Sequence, residues 1–149
     1  MPLDKAITPE FDDSQIPWKT LDGIEHLAYH IYRVDEEKQI IDAIFKFDAG
    51  RKIFMHQHHA EYATLVLHGE LCLYHPDGEL KEVRRTGSYV LTQPGGAPHT
   101  EGGGDVDVIV LFSLRGTTGP LYDVLDATTL APLETVSFAD FKALFEAQQ

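Results

Sequence analysis

Cysteine, cationic side chains and long apolar runs are scarce in this sequence, and each scarcity excludes a class of protein. Cys72 is the single cysteine, so an internal disulfide framework and a zinc site built from several thiolates of one chain are excluded. Twelve Lys and Arg stand against 24 Asp and Glu, a net charge of −12, which argues against a nucleic-acid partner because phosphate binding needs clustered cations. No run of about 18 apolar residues is present, so we expect no membrane span.

The length and the apolar content predict one domain over residues 1–149. Hydrophobic residues make up 43% of the chain, which is ample for a single core. We interpret the acidity as a source of solubility. The amino-terminal residues show no basic segment followed by an apolar run, so we expect no signal peptide and a cytoplasmic location.

Short apolar strands with frequent turn signals predict an all-β barrel or jelly roll. The predicted strands cover residues 26–34, 39–47, 53–58, 64–68, 71–75, 79–84, 87–92, 106–113 and 122–125. Residues 1–20 are predicted to form an irregular arm, and the glycines at 102–104 a flexible loop.

A short helix is predicted at the carboxyl end, over residues 137–147. Ser137 is a good N-cap, and Asp140, three residues on, completes a weak capping box. Aromatic and aliphatic residues then recur at helical spacing and form one apolar face. This face is expected to pack on the core or on a second copy of the chain.

Two histidines, His56 and His58, lie two residues apart on a predicted strand. Their side chains share one face because strand residues alternate with period 2. A third histidine, His99, ends a Pro/Gly turn about forty residues on. Since the chain has only one cysteine, the ligands of a metal ion here would be imidazole nitrogens and oxygen atoms. The alternative is a chance pair, because the chain has eight histidines.

The order and spacing of these residues resemble the two-part signature of the cupin superfamily, and of the RmlC-like cupins within it. The first part reads Gly, five residues, His-x-His, three or four residues, Glu, six residues, Gly; the second contains Pro-x-Gly, two residues, His. The matching positions are Gly50, His56, His58, Gly69, Gly87, Pro94, Gly96 and His99. The resemblance covers about residues 40–115. It implies a cupin-type double-stranded β-helix, a jelly roll, with His56, His58 and His99 on one metal ion.

The sequence departs from the signature where the metal-binding Glu is expected. Tyr62 stands there, and Glu61 is one residue out of register, so it faces away on an unbroken strand. A β-bulge would turn Glu61 inward and make it a ligand. Tyr62 either fills the space of the missing Glu or has a catalytic role, its phenol bonding a metal-bound oxygen or the substrate.

A fourth ligand is a further open point. Among the related enzymes that cleave hydroxyacetophenones, a Glu on the strand after the first motif serves as one. In that region this sequence has His75, on the same predicted strand face as Leu71 and Leu73. His75 is therefore a candidate fourth ligand.

The resemblance extends to acetylacetone and 2,4'-dihydroxyacetophenone dioxygenases. It implies a non-heme metal-dependent dioxygenase that cleaves a C–C bond of a small diketone or hydroxyketone, with O₂ as co-substrate. One divalent ion is implied, Fe(II) for activity, with Zn or Ni as alternatives in purified protein. The alternative is a non-catalytic cupin, either a small-molecule binder or a metal sensor like the cupin domain of anti-sigma factors.

A homodimer is also expected. A sheet with apolar residues on both faces needs a cover, and the predicted helix is short. The strand at 106–113 and the arm near Trp18 are the candidate surfaces.

Overall fold

The computed structural model describes residues 11–149, which form eleven strands and one helix. The strands are β1 (Leu27–Asp35), β2 (Ile40–Phe47), β3 (His56–His58), β4 (Glu61–His68), β5 (Leu71–Tyr74), β6 (Leu80–Arg84), β7 (Tyr89–Thr92), β8 (Thr100–Gly103), β9 (Val108–Arg115), β10 (Pro120–Leu125) and β11 (Pro132–Ser137); α1 is Phe138–Ala147. The all-β prediction with a short terminal helix is confirmed. Residues 1–10 of the predicted arm lie outside the described residues.

The strands form two layers. One is an antiparallel sheet in the order β1-β2-β9-β4-β7. The other contains two three-stranded groups, β11-β10-β3 and β6-β5-β8. A bridge between His56 and His99 joins the two groups, since each backbone N–H donates to the other residue's carbonyl at 3.0 Å. This bridge brings the two halves of the cupin signature together.

The core lies between the layers and is built from alternating strand residues. Fully buried examples are Ile31, Ile41, Phe47, Val66, Leu71, Val108, Val110 and Leu121. Burying such a side chain stabilises the fold by about 1.5–3 kcal/mol. Strand β9 is central in its sheet, and its first three residues are all buried.

The predicted flexible loop at 102–104 is wrong for its first two residues. Gly102 and Gly103 belong to β8 and are buried. A Cβ atom on Gly102 would lie 1.7 Å from the backbone oxygen of Arg51. The glycines are therefore needed because another backbone segment packs directly against this strand.

The helix begins as the capping pattern predicts. The Ser137 side chain accepts from the Asp140 backbone N–H, and the Asp140 side chain accepts from the Ser137 N–H. Phe138 and Phe141 are buried against β1 and β11. Strand β11 precedes the helix directly and was not predicted. Residues 11–149 contain no helix with the length and apolar character that a membrane crossing requires.

Of the two surfaces considered for a homodimer, strand β9 is mostly buried within the chain, whereas most residues of the described part of the arm, 11–20, are exposed. Trp18 is half-buried: its Nε1–H donates to Asp13 Oδ2 at 3.0 Å, and Lys46 Nζ lies 5.5 Å from its ring centroid. Strand β9 is flanked by β2 and β4. The homodimer stays a prediction, without support from these two surfaces.

Candidate metal centre

Three histidines converge in the interior of the jelly roll. His56 and His58 come from β3, and His99 comes from the residue before β8 that bridges to His56. Each offers one ring nitrogen, and these nitrogens all lie within 4.8 Å of one another. The side chains are almost completely buried, at 2%, 7% and 5% exposure in that order. Such a set of imidazoles suits Fe, Zn, Ni or Cu.

Hydrogen bonds orient two of the three rings. His56 Nδ1 lies 2.9 Å from the Phe54 carbonyl oxygen, and His99 Nδ1 lies 3.3 Å from that of Ala97. A carbonyl only accepts, so each Nδ1 carries the proton, and in the neutral ring Nε2 is left with its lone pair. His99 Nε2 and both ring nitrogens of His58 are buried without a hydrogen-bond partner.

A buried carboxylate completes the cluster. Glu101 is 4% exposed, and its Oε1 lies 3.4 Å from His56 Nε2. With the His56 proton on Nδ1, these two facing atoms are both acceptors and repel each other. A cation between the facing acceptors removes that cost, as does a second proton on His56. The residues present therefore fit a divalent metal ion.

The surroundings keep His58 and His99 neutral and Glu101 ionised. Burial, followed by the proximity of His56, lowers the pKa of His58 well below its ordinary value of 6.5. Burial also lowers the pKa of His99. For Glu101 burial acts to raise the pKa, but His56, His99 and Arg84 together hold it below its ordinary value of 4.5. Neutral imidazoles and an ionised carboxylate are the forms that bind metals.

One side of the cluster opens on an apolar cavity of about 40 Å³. Its aromatic wall consists of Phe45, Phe47, Phe54, Phe112, Tyr122 and Phe141, and Glu101 is its single carboxylate. Tyr122 is half-buried, and its ring centroid lies 5.8 Å from that of His58. Burial raises the pKa of Tyr122, so its phenol stays neutral.

The opposite side opens on a polar cleft of about 60 Å³. It is lined by His58, Tyr62, Leu73, Lys81, Arg84, Thr92, Gln93, Gly96, Ala97 and His99. Arg84 is buried, donates from Nη1 to Thr64 Oγ1 at 3.0 Å, and pairs with Glu82. The cluster therefore separates an apolar compartment from a cationic one.

Tyr62 meets the cluster through its ring. The chain crosses from one layer to the other between β3 and β4, and Tyr62 then stacks on His58 with 3.9 Å between ring centroids. On its other side the ring stacks on Phe112 at 5.9 Å. Burial raises the pKa of Tyr62 to about 12, so its phenol stays neutral. The structure places the Tyr62 ring between His58 and Phe112, where it packs against the histidine.

Glu61 and His75 lie outside the cluster. Glu61 is half-buried and accepts a hydrogen bond from Gln93 Nε2 at 2.9 Å, so it does not turn inward. His75 is exposed, in the turn after β5. Its predicted facing does not apply, because the strand ends at Tyr74 and His75 lies beyond it.

Sequence reasoning missed Glu101. A signal was present, since His99 and Glu101 are two residues apart, the spacing that places His56 and His58 on one strand face. The prediction of a loop at 102–104 prevented the assignment of Glu101 to a strand face, because side chains in a loop do not alternate between two faces.

Comparisons with known proteins agree with this fold. A family model described as the ChrR cupin-like domain matches residues 10–118. No protein of curated function matches the sequence significantly.

Solved structures of several cupins are similar to this chain. An RmlC-like cupin from Ralstonia eutropha JMP134 superposes with a TM-score of 0.71 at 15% identity, over 89% of this chain and 80% of that one. An acetylacetone dioxygenase from Acinetobacter johnsonii gives a TM-score of 0.67 at 15% identity, over 98% and 97%. The DMSP lyase DddQ from Ruegeria pomeroyi DSS-3 gives 0.55 at 20% identity, over 72% and 59%. At these identities the likeness shows the shared fold.

Proposed function

Since the chain belongs to the family of ChrR cupin-like domains, we propose that it is a metal-binding cupin that acts as a non-heme dioxygenase on a diketone or hydroxyketone. The observation that carries the proposal is the position of the buried acceptor cluster. His56, His58, His99 and Glu101 converge beside a cavity with an aromatic wall. A similar fold in an acetylacetone dioxygenase adds support at the level of the fold.

The three histidines would hold one divalent ion, and the Glu101 carboxylate beside them would offset part of its charge. Fe(II) bound there would bring a chelating substrate and O₂ into contact, since three imidazoles leave positions on a six-coordinate ion free. The aromatic wall binds the apolar parts of the substrate and excludes water. Phe54 and Ala97 hold His56 and His99 through their carbonyl groups, and Tyr62 holds His58 by stacking.

Glu101 is placed to accept a proton from the substrate. A 1,3-diketone loses a proton from the carbon between its carbonyl groups when it becomes an enolate. Glu101 lines the apolar cavity in its ionised form, so its carboxylate is the acceptor we assign to that proton. One negative charge beside the cation then replaces another, which favours a diketone-type substrate over one that cannot ionise.

Oxygen uptake tests this function. Protein loaded with Fe(II) is mixed with 2,4-pentanedione or 2,4'-dihydroxyacetophenone in an oxygen electrode, and products are measured by chromatography. Cleavage of the diketone places both oxygen atoms of O₂ in the products, a carboxylic acid and a 2-oxoaldehyde. Uptake above that of the His99→Ala variant, with matching product, supports the proposal. Metal-loaded protein with no uptake on either substrate contradicts it.

A non-catalytic metal-binding cupin is the second candidate. Glu101 favours it, because its carboxylate, bound to Zn(II) together with the three histidines, would give the ion four protein ligands and leave no open position. This candidate predicts stoichiometric zinc in purified protein and no turnover. Metal analysis of untagged protein, together with the oxygen assay, distinguishes the two.

Two further expectations from the sequence stay proposals. We propose a cytoplasmic location and a homodimer. Light scattering should give a mass of about twice 16.7 kDa for a dimer. A particle of 16.7 kDa at micromolar concentration would contradict the dimer.

A further inference from the structure

A second and larger cleft lies at the mouth of the jelly roll. Its volume is about 450 Å³, against about 40 Å³ for the cavity at the histidines. It is bounded by α1, by β10 and β11, and by residues 21–24 before β1. Sites for small organic ligands have volumes of about 300–1,000 Å³, so this cleft has room for one.

The cleft and the inner cavity are adjoining spaces. Five residues line both spaces: Leu27, Phe45, Phe54, Tyr122 and Phe141. The rings of Phe54 and Tyr122 are stacked, with centroids 6.2 Å apart and planes inclined by 17°. The Tyr122 ring also lies 5.9 Å from the His56 ring. The two spaces therefore meet at these shared residues, and a ligand in the cleft lies next to the space at the cluster.

The chemistry of the cleft selects against anions. Its floor and walls are apolar, and the charged groups among its described lining residues are Asp22, Glu134 and Asp140. All three carry negative charge, and no described lining residue is a cation. Among diketone and aryl ketone substrates, those with an uncharged apolar chain or ring therefore fit this cleft, and those with an anionic tail do not.

We propose that this cleft binds an uncharged aliphatic chain or aryl ring of the substrate, while the dicarbonyl head of the same molecule reaches the histidine cluster. The inference rests on the proposed function and narrows its substrate class. The cavity at the histidines, at about 40 Å³, has room for the dicarbonyl head of the substrate and for no more of the molecule. The preferred substrate is therefore a diketone or aryl ketone larger than 2,4-pentanedione.

Binding of a graded diketone series tests the proposal without turnover. Protein loaded with Zn(II) is titrated under nitrogen with 2,4-pentanedione, 2,4-heptanedione and 2,4-nonanedione in a calorimeter. Each added methylene should tighten binding about fourfold, so the nonanedione should bind on the order of 100-fold more tightly than the pentanedione. The same chain ending in a carboxylate, 6,8-dioxononanoate, should bind about tenfold more weakly than the nonanedione.

Two alanines of α1 supply a variant and its matched control. Ala143 lines the cleft, whereas Ala147, one turn further along and exposed, does not. Ala143→Trp fills the cleft and should abolish the gain from chain length while leaving 2,4-pentanedione binding unchanged. Ala147→Trp should keep the full gain.

The outcomes separate this inference from the proposed function. Equal affinities along the series, or a gain that survives Ala143→Trp, overturn the cleft assignment even when Fe(II)-loaded protein turns the diketones over. A gain that Ala143→Trp removes supports the assignment even when no oxygen is consumed, and then only the dioxygenase proposal fails. If no diketone binds the Zn(II)-loaded protein, both are overturned.

Discussion

The two sides of the histidine cluster differ in almost every physical property. The apolar side has phenylalanine walls and one buried carboxylate, Glu101. The polar side has Lys81 and Arg84, and Tyr62 and Thr92 line it as well. The interaction energy between two charges is larger where water is excluded, because the local dielectric constant is lower. The comparison teaches that Glu101 can influence a metal ion and its ligand strongly, whereas substitutions on the polar side should act mainly through packing.

The histidines are common to both sides, so removing one should have the largest effect. His99→Ala or His58→Ala should lower metal affinity by more than about 100-fold, because losing a direct ligand costs more than losing a residue that supports one. Metal content after dialysis, measured by mass spectrometry, checks this. His75→Ala is the matched control, and it should retain the metal. Stoichiometric metal in both cluster variants would refute the site.

Glu101→Gln tests the apolar side alone. The change keeps the shape and removes the negative charge beside the cation, so metal affinity should fall about 10–100-fold. Glu61→Gln, whose side chain bonds Gln93 outside the cluster, should leave affinity unchanged. Competition with a fluorescent chelator measures both. A large loss in the Glu61 variant alone would mean that the strand is bulged and the assignment reversed.

Acid should weaken both metal binding and the metal-free fold. Burial lowers the pKa of His58 and His99 in the folded protein below the ordinary 6.5. Below about pH 6.5 the unfolded chain therefore binds more protons, so the free energy of unfolding falls as the pH falls. Urea midpoints of metal-free protein between pH 7.5 and 5.5 should decline. In His58→Gln the decline should be shallower, and an equal slope would contradict the assignment.

Tyr62 tests the polar side and should give the smallest effect. Tyr62→Phe keeps the ring stacked on His58 and removes only the hydroxyl, so metal affinity should change less than about threefold. Tyr62→Leu removes the stack and should cost about 0.5–1.5 kcal/mol in stability. Urea unfolding and metal titration of both variants distinguish these results. A large loss of metal in Tyr62→Phe would show that the hydroxyl, and not the ring, matters to the site.

The strands and the helix were largely predictable because their signals are local. Alternation, turn residues and the Ser137 cap depend only on near neighbours in the chain. His75 was misplaced because β5 ends one residue earlier than predicted, at Tyr74, where its pairing with β6 and β8 stops, and pairing is not visible in the sequence. Gly102 was predicted to lie in a loop because the feature that requires a glycine there is the close approach of the Arg51 backbone. Arg51 is about fifty residues away in the chain, so this contact is not visible in the local sequence.

The sequence by itself determined the three histidines and the kind of fold that unites them. Period-2 alternation fixes His56 and His58 on one face, and the Pro94 turn sets His99 at a strand start. Only the tertiary structure decided that Glu101 faces His56, that Tyr62 reaches His58 across the two layers, and that an acidic-rimmed cleft lies beyond Phe54. These features depend on distances between segments far apart in the chain, which packing sets and local pattern does not.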